Sequence, residues 1–180
     1  MQFTALISSL YNYFRQKREK KLRRLKDDLL DEAIMRNSKL FFELAVLSYV
    51  LSKILSRPRF LTEQYVKELN EIERLLGRIL AGIGKKTDAE LLSIIHEIEN
   101  VIKHLEREDQ RYFRDLITKG RLKMASTMYA KGISLGTAAS MSGLDKQEIQ
   151  EYAGSTLMFD RVKEEIDIKE RIKRARRLLE

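Results

Sequence analysis

One stretch limits the fold more than any other. Residues 39–55, KLFFELAVLSYVLSKIL, carry apolar side chains on nearly every side of a helix: Leu40, Phe41, Phe42, Leu44, Val46, Leu47, Tyr49, Val50, Leu51 and Ile54. A helix apolar all round either sits at the centre of a helical assembly or spans a membrane. Lys39, Glu43 and Lys53 interrupt the run well short of the ~20 apolar residues a bilayer requires. Central burial is therefore expected, and it obliges other amphipathic helices to surround this one. Pro58, the single proline of the chain, ends the segment, because proline disfavours helical backbone at the residue before it.

The surrounding helices are legible as apolar stripes. In residues 1–14, Phe3, Leu6, Ile7, Leu10 and Phe14 recur at helical spacing. That segment is too short to cross a bilayer, and it lacks the leading positive charge and cleavage site of a signal peptide. No apolar residue appears between Phe14 and Leu22; Leu22, Leu25, Leu29 and Ala33 then restore the stripe, which predicts one long helix from near Thr4 to near Arg36. Asn37 or Ser38 is placed to cap the apolar helix. Thr62 and Glu63 are expected to start a third, with Tyr65, Val66, Leu69, Ile72, Leu75, Leu76 and Ile79 as its stripe and Gly82 and Gly84 at its end. Thr87 or Asp88 caps a fourth, whose apolar face is Leu91, Leu92, Ile94, Ile95, Ile98, Val101, Ile102 and Leu105. Gly120 is expected to permit a bend before a helix over residues 122–131. The fold class that follows is all-α: an N-terminal antiparallel helical bundle, then a small helix-turn-helix unit and a basic C-terminal helix. The division falls at residues 1–118 and 119–180. Within the second part, residues 155–160, STLMFD, are the one strand-like piece, and pairing of two copies through it would make a homodimer.

Charge is distributed unevenly. The net charge is +8, but residues 15–26 hold eight basic side chains against Glu19, and residues 169–177 hold six against Glu170. The remainder is mildly acidic. Basic patches of this density attract phosphate, on nucleic acid or on lipid. The absence of cysteine rules out disulfides and thiolate metal sites and fits a reducing cytoplasm, the expected compartment. The abundance of Lys, Glu, Arg, Leu and Ile over Asn and Gln is the drift of heat-adapted proteins, so a thermophilic source is expected.

The motif with the most functional content lies in residues 133–154, ISLGTAASMSGLDKQEIQEYAG. Ser134 can cap a first short helix. Gly143 follows it, where a left-handed backbone is easiest for glycine. Asp145 can cap a second helix, with Glu148 completing a capping box. Ala138 and Ala139 let the two helices touch, while Leu144, Ile149 and Tyr152 share an inward face. On Ala139, Gly143, Leu144, Ile149 and Tyr152, at the motif's usual spacing, this stretch resembles the helix-turn-helix of prokaryotic DNA-binding regulators and small antitoxins. It departs from the pattern at Ser142, where an apolar residue is usual.

The resemblance implies a non-enzymatic, transcription-regulator-like protein that binds double-stranded DNA. Lys146, Gln147 and Gln150 point outward from the second helix. A carboxamide can both donate and accept at an adenine edge. Because residues 133–154 carry Asp145, Glu148 and Glu151 against Lys146 alone, phosphate neutralisation must come from elsewhere. The candidates are Arg15, Lys17, Arg18, Lys20, Lys21, Arg23 and Arg24 near one end, and Lys173, Arg174, Arg176 and Arg177 near the other. The alternative is a helical adaptor that docks a protein partner through its acidic motif, at an anionic membrane surface if residues 1–26 act as an interfacial anchor. No phosphate-cradling glycine loop or nucleophile elbow is present. His96 and His104 share one helix face, where a boundary role is expected; they cannot hold a metal without a third element. Residues 99–104 resemble the Arg-polar-x-x-x-His motif of a helical ribonuclease family. Glu99 stands where that family has its arginine, so the cation such cleavage needs is missing. No catalytic residue, cofactor or metal is expected.

Overall fold

Helix α3 (Lys39–Leu55) holds the centre. It touches α1 (Gln2–Arg15), α2 (Glu19–Arg36), α5 (Asp88–Glu108), α6 (Leu116–Ala130) and α7 (Leu135–Ser142). Its apolar side chains are buried almost all round, as a helix without a polar face must be. The computed structural model describes residues 2–108 and 115–158, all helices and turns, with no strand among them. Two further helices complete the described chain, α4 (Val66–Gly82) and α8 (Lys146–Ser155). No helix of the described residues is long and apolar enough to cross a membrane.

Local chemistry sets most of the boundaries. Ser38 caps α3, its Oγ accepting from the backbone N–H of Phe41. Thr87 caps α5 in a reciprocal box: the Glu90 carboxylate accepts from the Thr87 N–H at 2.8 Å, and the Thr87 hydroxyl accepts from the Glu90 N–H. That box also holds the Glu90 carboxyl below its ordinary pKa. The third stripe begins later than expected. Single 3₁₀ turns over Pro58–Leu61 and Glu63–Tyr65 precede α4, and they bury Phe60 and Tyr65 ring against ring at 5.1 Å.

The long N-terminal helix does not form; the chain breaks between α1 and α2. The Arg18 N–H reaches the Tyr13 carbonyl at 2.8 Å and the Lys17 N–H reaches that of Phe14 at 2.9 Å. This is a Schellman ending, with Lys17 in the left-handed region at φ 53°. The cause is readable in burial. Ile7, Leu10 and Phe14 pack inward from α1, as do Leu22, Leu25 and Leu29 from α2, and nothing apolar between Phe14 and Leu22 favours a straight path. The same ending closes α2 at Asn37 and α6 at Gly132.

Two further expectations are corrected. Gly120 is no bend: α6 runs straight through it. A Cβ there would lie 3.2 Å from Val50 Cγ2 and 3.3 Å from Val46 Cγ1, so glycine lets α6 press against α3. Residues 155–158 form no strand either. Ser155 closes α8, and the Thr156 hydroxyl and the Leu157 N–H fold back on the helix end. Met158 is buried beside Thr127. Residues 159–160, the aromatic pair Tyr112 and Phe113, and the whole basic C-terminal segment lie outside the described residues.

The division expected at residue 118 falls inside α6, and the hydrophobic core is continuous across it, from Ile7 to Ile149. An ionic clasp reinforces the junction. The Arg121 guanidinium on α6 donates to Glu43 Oε2 of α3 at 3.1 and 3.2 Å and to Glu99 Oε1 of α5 at 2.6 Å. The other Glu99 oxygen lies 3.1 Å from His96 Nδ1. Both acids are buried, and desolvation raises the Glu43 pKa despite the opposing pull of Arg121.

Candidate nucleic-acid interface

The two short helices of residues 133–154 form as the sequence dictates. Ser134 Oγ accepts from the Thr137 N–H at 3.1 Å and so caps α7. Gly143 ends α7 at φ 72°, its N–H on the Ala139 carbonyl. Asp145 Oδ1 accepts from the Gln147 N–H at 2.7 Å and caps α8. Ser142, the departure from the motif's pattern, is buried but fully used. Its hydroxyl donates to the Ala138 carbonyl at 2.7 Å and accepts from the Leu144 N–H at 3.3 Å. A buried hydroxyl with partners on both sides carries little desolvation penalty, and here it ties the turn to the helix before it.

Helix α8 lies against α6 and α7. Ile149 and Ala153 face inward and are buried, and the Ser126 hydroxyl of α6 donates to the Ile149 carbonyl at 3.1 Å within the core. Leu144 and Tyr152 are half-buried beside them. The opposite face is open: Lys146, Gln147, Glu148, Gln150 and Glu151 are all exposed. The Gln147 amide donates to Glu151 one turn on, at 2.8 Å, so its carbonyl oxygen points away from that bond. Beside α7, a cleft of about 420 Å³ lies between its outer face (Gly136, Thr137, Ser140) and Asn37 and Lys39 at the start of α3.

The basic N-terminal run is divided by the break between α1 and α2. Arg15, Lys17, Arg18, Lys20, Lys21, Arg23 and Arg24 are all exposed. Arg15 turns toward Glu73 of α4 at 3.5 Å, and Lys21 lies 5.2 Å from the centre of the Tyr13 ring. Arg23 takes the other direction. It is close enough to Tyr49 of α3 for its charge to lower that phenol's pKa, while burial and the neighbouring Tyr152 of α8 raise it to a net upward shift. Arg23 is thus brought near Tyr49, while Arg15 faces α4. Lys173, Arg174, Arg176 and Arg177 lie outside the described residues.

Two cations here are not apparent from the sequence. Lys53 and Lys123 lie over the Tyr49 ring with their ammonium groups 5.5 and 5.0 Å from its centre. They stand 70 positions apart in the chain, and only the packing of α6 on α3 unites them. The one sequence signal was the tyrosine in the apolar helix, whose hydroxyl requires a polar exit. His96 and His104 are exposed, each beside a glutamate. Among the described residues no group of three or more histidines or acids could hold a metal ion. Comparison with protein-family models, with curated proteins and with solved structures gives no match for this chain.

Proposed function

We propose that the chain is a non-enzymatic DNA-binding protein in which a helical bundle carries a helix-turn-helix, α7 and α8, against double-stranded DNA. The observation that carries this reading is the open face of α8. Lys146, Gln147 and Gln150 stand exposed on a helix whose other side is anchored in the core. A helix so presented can enter the major groove, where its carboxamides meet base edges. The acidic residues Asp145, Glu148 and Glu151 repel phosphate, so affinity rests on cations outside the motif. Arg23 supplies one near Tyr49, and Lys17, Arg18, Lys20, Lys21 and Arg24 continue the exposed run on α2 and the turn before it.

Electrophoretic mobility shift with random duplex DNA tests this at about 50 and 200 mM salt, a range over which a protein making several phosphate contacts loses roughly 10³-fold or more in affinity. Steep loss is expected, with a shallower slope when the α2 cations are neutralised. Absence of a shift at the lower salt would refute it. The reading as an adaptor keeps one observation in its favour, the acidic surplus of the exposed α8 face; charge reversal of Lys146 would then strengthen docking of a basic partner. The membrane-anchor version is opposed by burial of Ile7, Leu10 and Phe14, the apolar face such an anchor would insert.

A further inference from the structure

The charged side chains of residues 133–154 are Asp145, Glu148 and Glu151 against Lys146. For a helix that approaches phosphate, that acid surplus is an electrostatic cost. Two of the acids are engaged with one neighbour. Asp145 Oδ1 accepts from the backbone N–H of Gln147 at 2.7 Å, and Glu151 Oε1 accepts from its side-chain amide at 2.8 Å. Gln147 is thereby held by main chain and side chain together, in the first turn of α8, the part of a reading helix that meets base edges. The chemistry of the pair fixes the sense of the amide. A carboxylate only accepts, so the amide atom against Glu151 is nitrogen, and the carbonyl oxygen is left to the open side. The reversed amide would set two acceptors face to face. On an open helix face such a bond is weak. Where a duplex excludes water it strengthens, and the reversed amide becomes correspondingly costly.

We infer that Glu151 is a positioning residue: it turns the Gln147 carbonyl outward, so that α8 accepts a hydrogen bond from an amino base, adenine or cytosine, on the strand it faces. The inference rests on the DNA-binding reading and gives it a base preference. In the major groove adenine presents the N6–H donor and cytosine the N4–H donor, whereas the edges of guanine and thymine present acceptor oxygens. An outward carbonyl oxygen therefore meets a donor on adenine or cytosine and a repelling oxygen on guanine or thymine. An outward amide nitrogen would select the other way. The acids that repel phosphate thus fix the sense of a base contact.

The test is selection by the full chain from duplexes with a randomised core at low salt, the bound pool being sequenced. Expected in the wild type is a position at which adenine and cytosine together exceed guanine and thymine on one strand by roughly tenfold, the usual scale of one mismatched contact. Gln147→Ala should lose that preference. Glu151→Lys should invert it, because an ammonium only donates and so holds the amide by its oxygen, with the nitrogen outward. Added positive charge alone would raise affinity for all sequences alike and leave the preference unmoved. Both residues are exposed, and thermal melts confirm that the variants fold. An unchanged preference in Glu151→Lys, or duplex binding without any preference in the wild type, would overturn the positioning role and leave the DNA-binding reading standing. The bond itself is read without DNA, from the side-chain amide signals of Gln147 by NMR. They should move in Glu151→Ala, and coincident signals would overturn the inference. Absence of duplex binding by the wild type would refute the DNA-binding reading and, with it, the base preference, even where the NMR shows the bond.

Discussion

Replacement of Arg121 by methionine should release α6 from the bundle more than any other single surface-reaching change. Arg121 is the one guanidinium bonded to both Glu43 and Glu99. Those carboxylates are 4% and 7% exposed as side chains, against 23% for Arg121. Methionine matches the length of the aliphatic stem and leaves two acids buried without their cation. Removal of one side of a buried ion pair costs about 3–5 kcal/mol, a large part of the roughly 5–15 kcal/mol that holds a typical domain together. At about 2–4 °C per kcal/mol for a chain of this size, the melting temperature should fall by roughly 6–20 °C at pH 7.

The loss should shrink in acid, and the direction follows from the burial of Glu43. Its folded-state pKa stands above the ordinary 4.5, with desolvation the largest cause and Arg121 opposing it. A carboxyl of this kind holds its proton more tightly when folded. Its stabilising contribution is complete below the unfolded value and is lost as pH rises through the folded one. Removing Arg121 takes away the opposing cation and raises that pKa further, so the variant should recover more than the wild type between pH 7 and pH 5. Calorimetric melts across that range measure both effects, and Glu43→Gln in the Arg121→Met background should restore part of the loss. A drop of under 1 kcal/mol at pH 7, or a deficit that widens in acid, would refute the account of the clasp.

Two further changes test the backbone. Lys17→Gly should stabilise by about 0.5–1 kcal/mol, since φ 53° strains a side chain and glycine relieves it at some cost in unfolded-state entropy; urea unfolding reads this, and a loss would mean the break between α1 and α2 is placed wrongly. Gly120→Val should destabilise by about 1–3 kcal/mol through overpacking against Val46 and Val50. If the valine variant unfolds at the wild-type urea concentration, α6 does not approach α3 as closely as described.

Much of this fold could be read from periodicity and caps. The central position of α3, the inward stripes of α4 and α5, and the caps at Ser38, Thr87, Ser134 and Asp145 are local signals, each written within a few residues. What escaped is non-local or backbone-specific. A lysine in the left-handed region at position 17 has no propensity signature, so the break between α1 and α2 was hidden inside a polar run. Gly120 looked like a hinge because a glycine read alone suggests freedom, while its use here is close approach to a helix 70 residues away. The strand-like look of residues 155–158 came from Thr156, Leu157 and Met158, which instead fold back on α8 and bury one methionine. The outward set Lys146, Gln147 and Gln150 was legible because capping fixes where a helix starts, and its start fixes its faces. The cluster at Tyr49 was not, because it draws on three helices whose docking no local pattern encodes.

The most direct test is amide hydrogen exchange of the full chain with and without a saturating random duplex at low salt. The account predicts slowed exchange at the exposed start of α8, around Lys146 and Gln147, and along Arg18–Arg24, with α4 and the outer face of α5 unchanged. Protection confined to α4 and α5, or none anywhere on the chain, would contradict it.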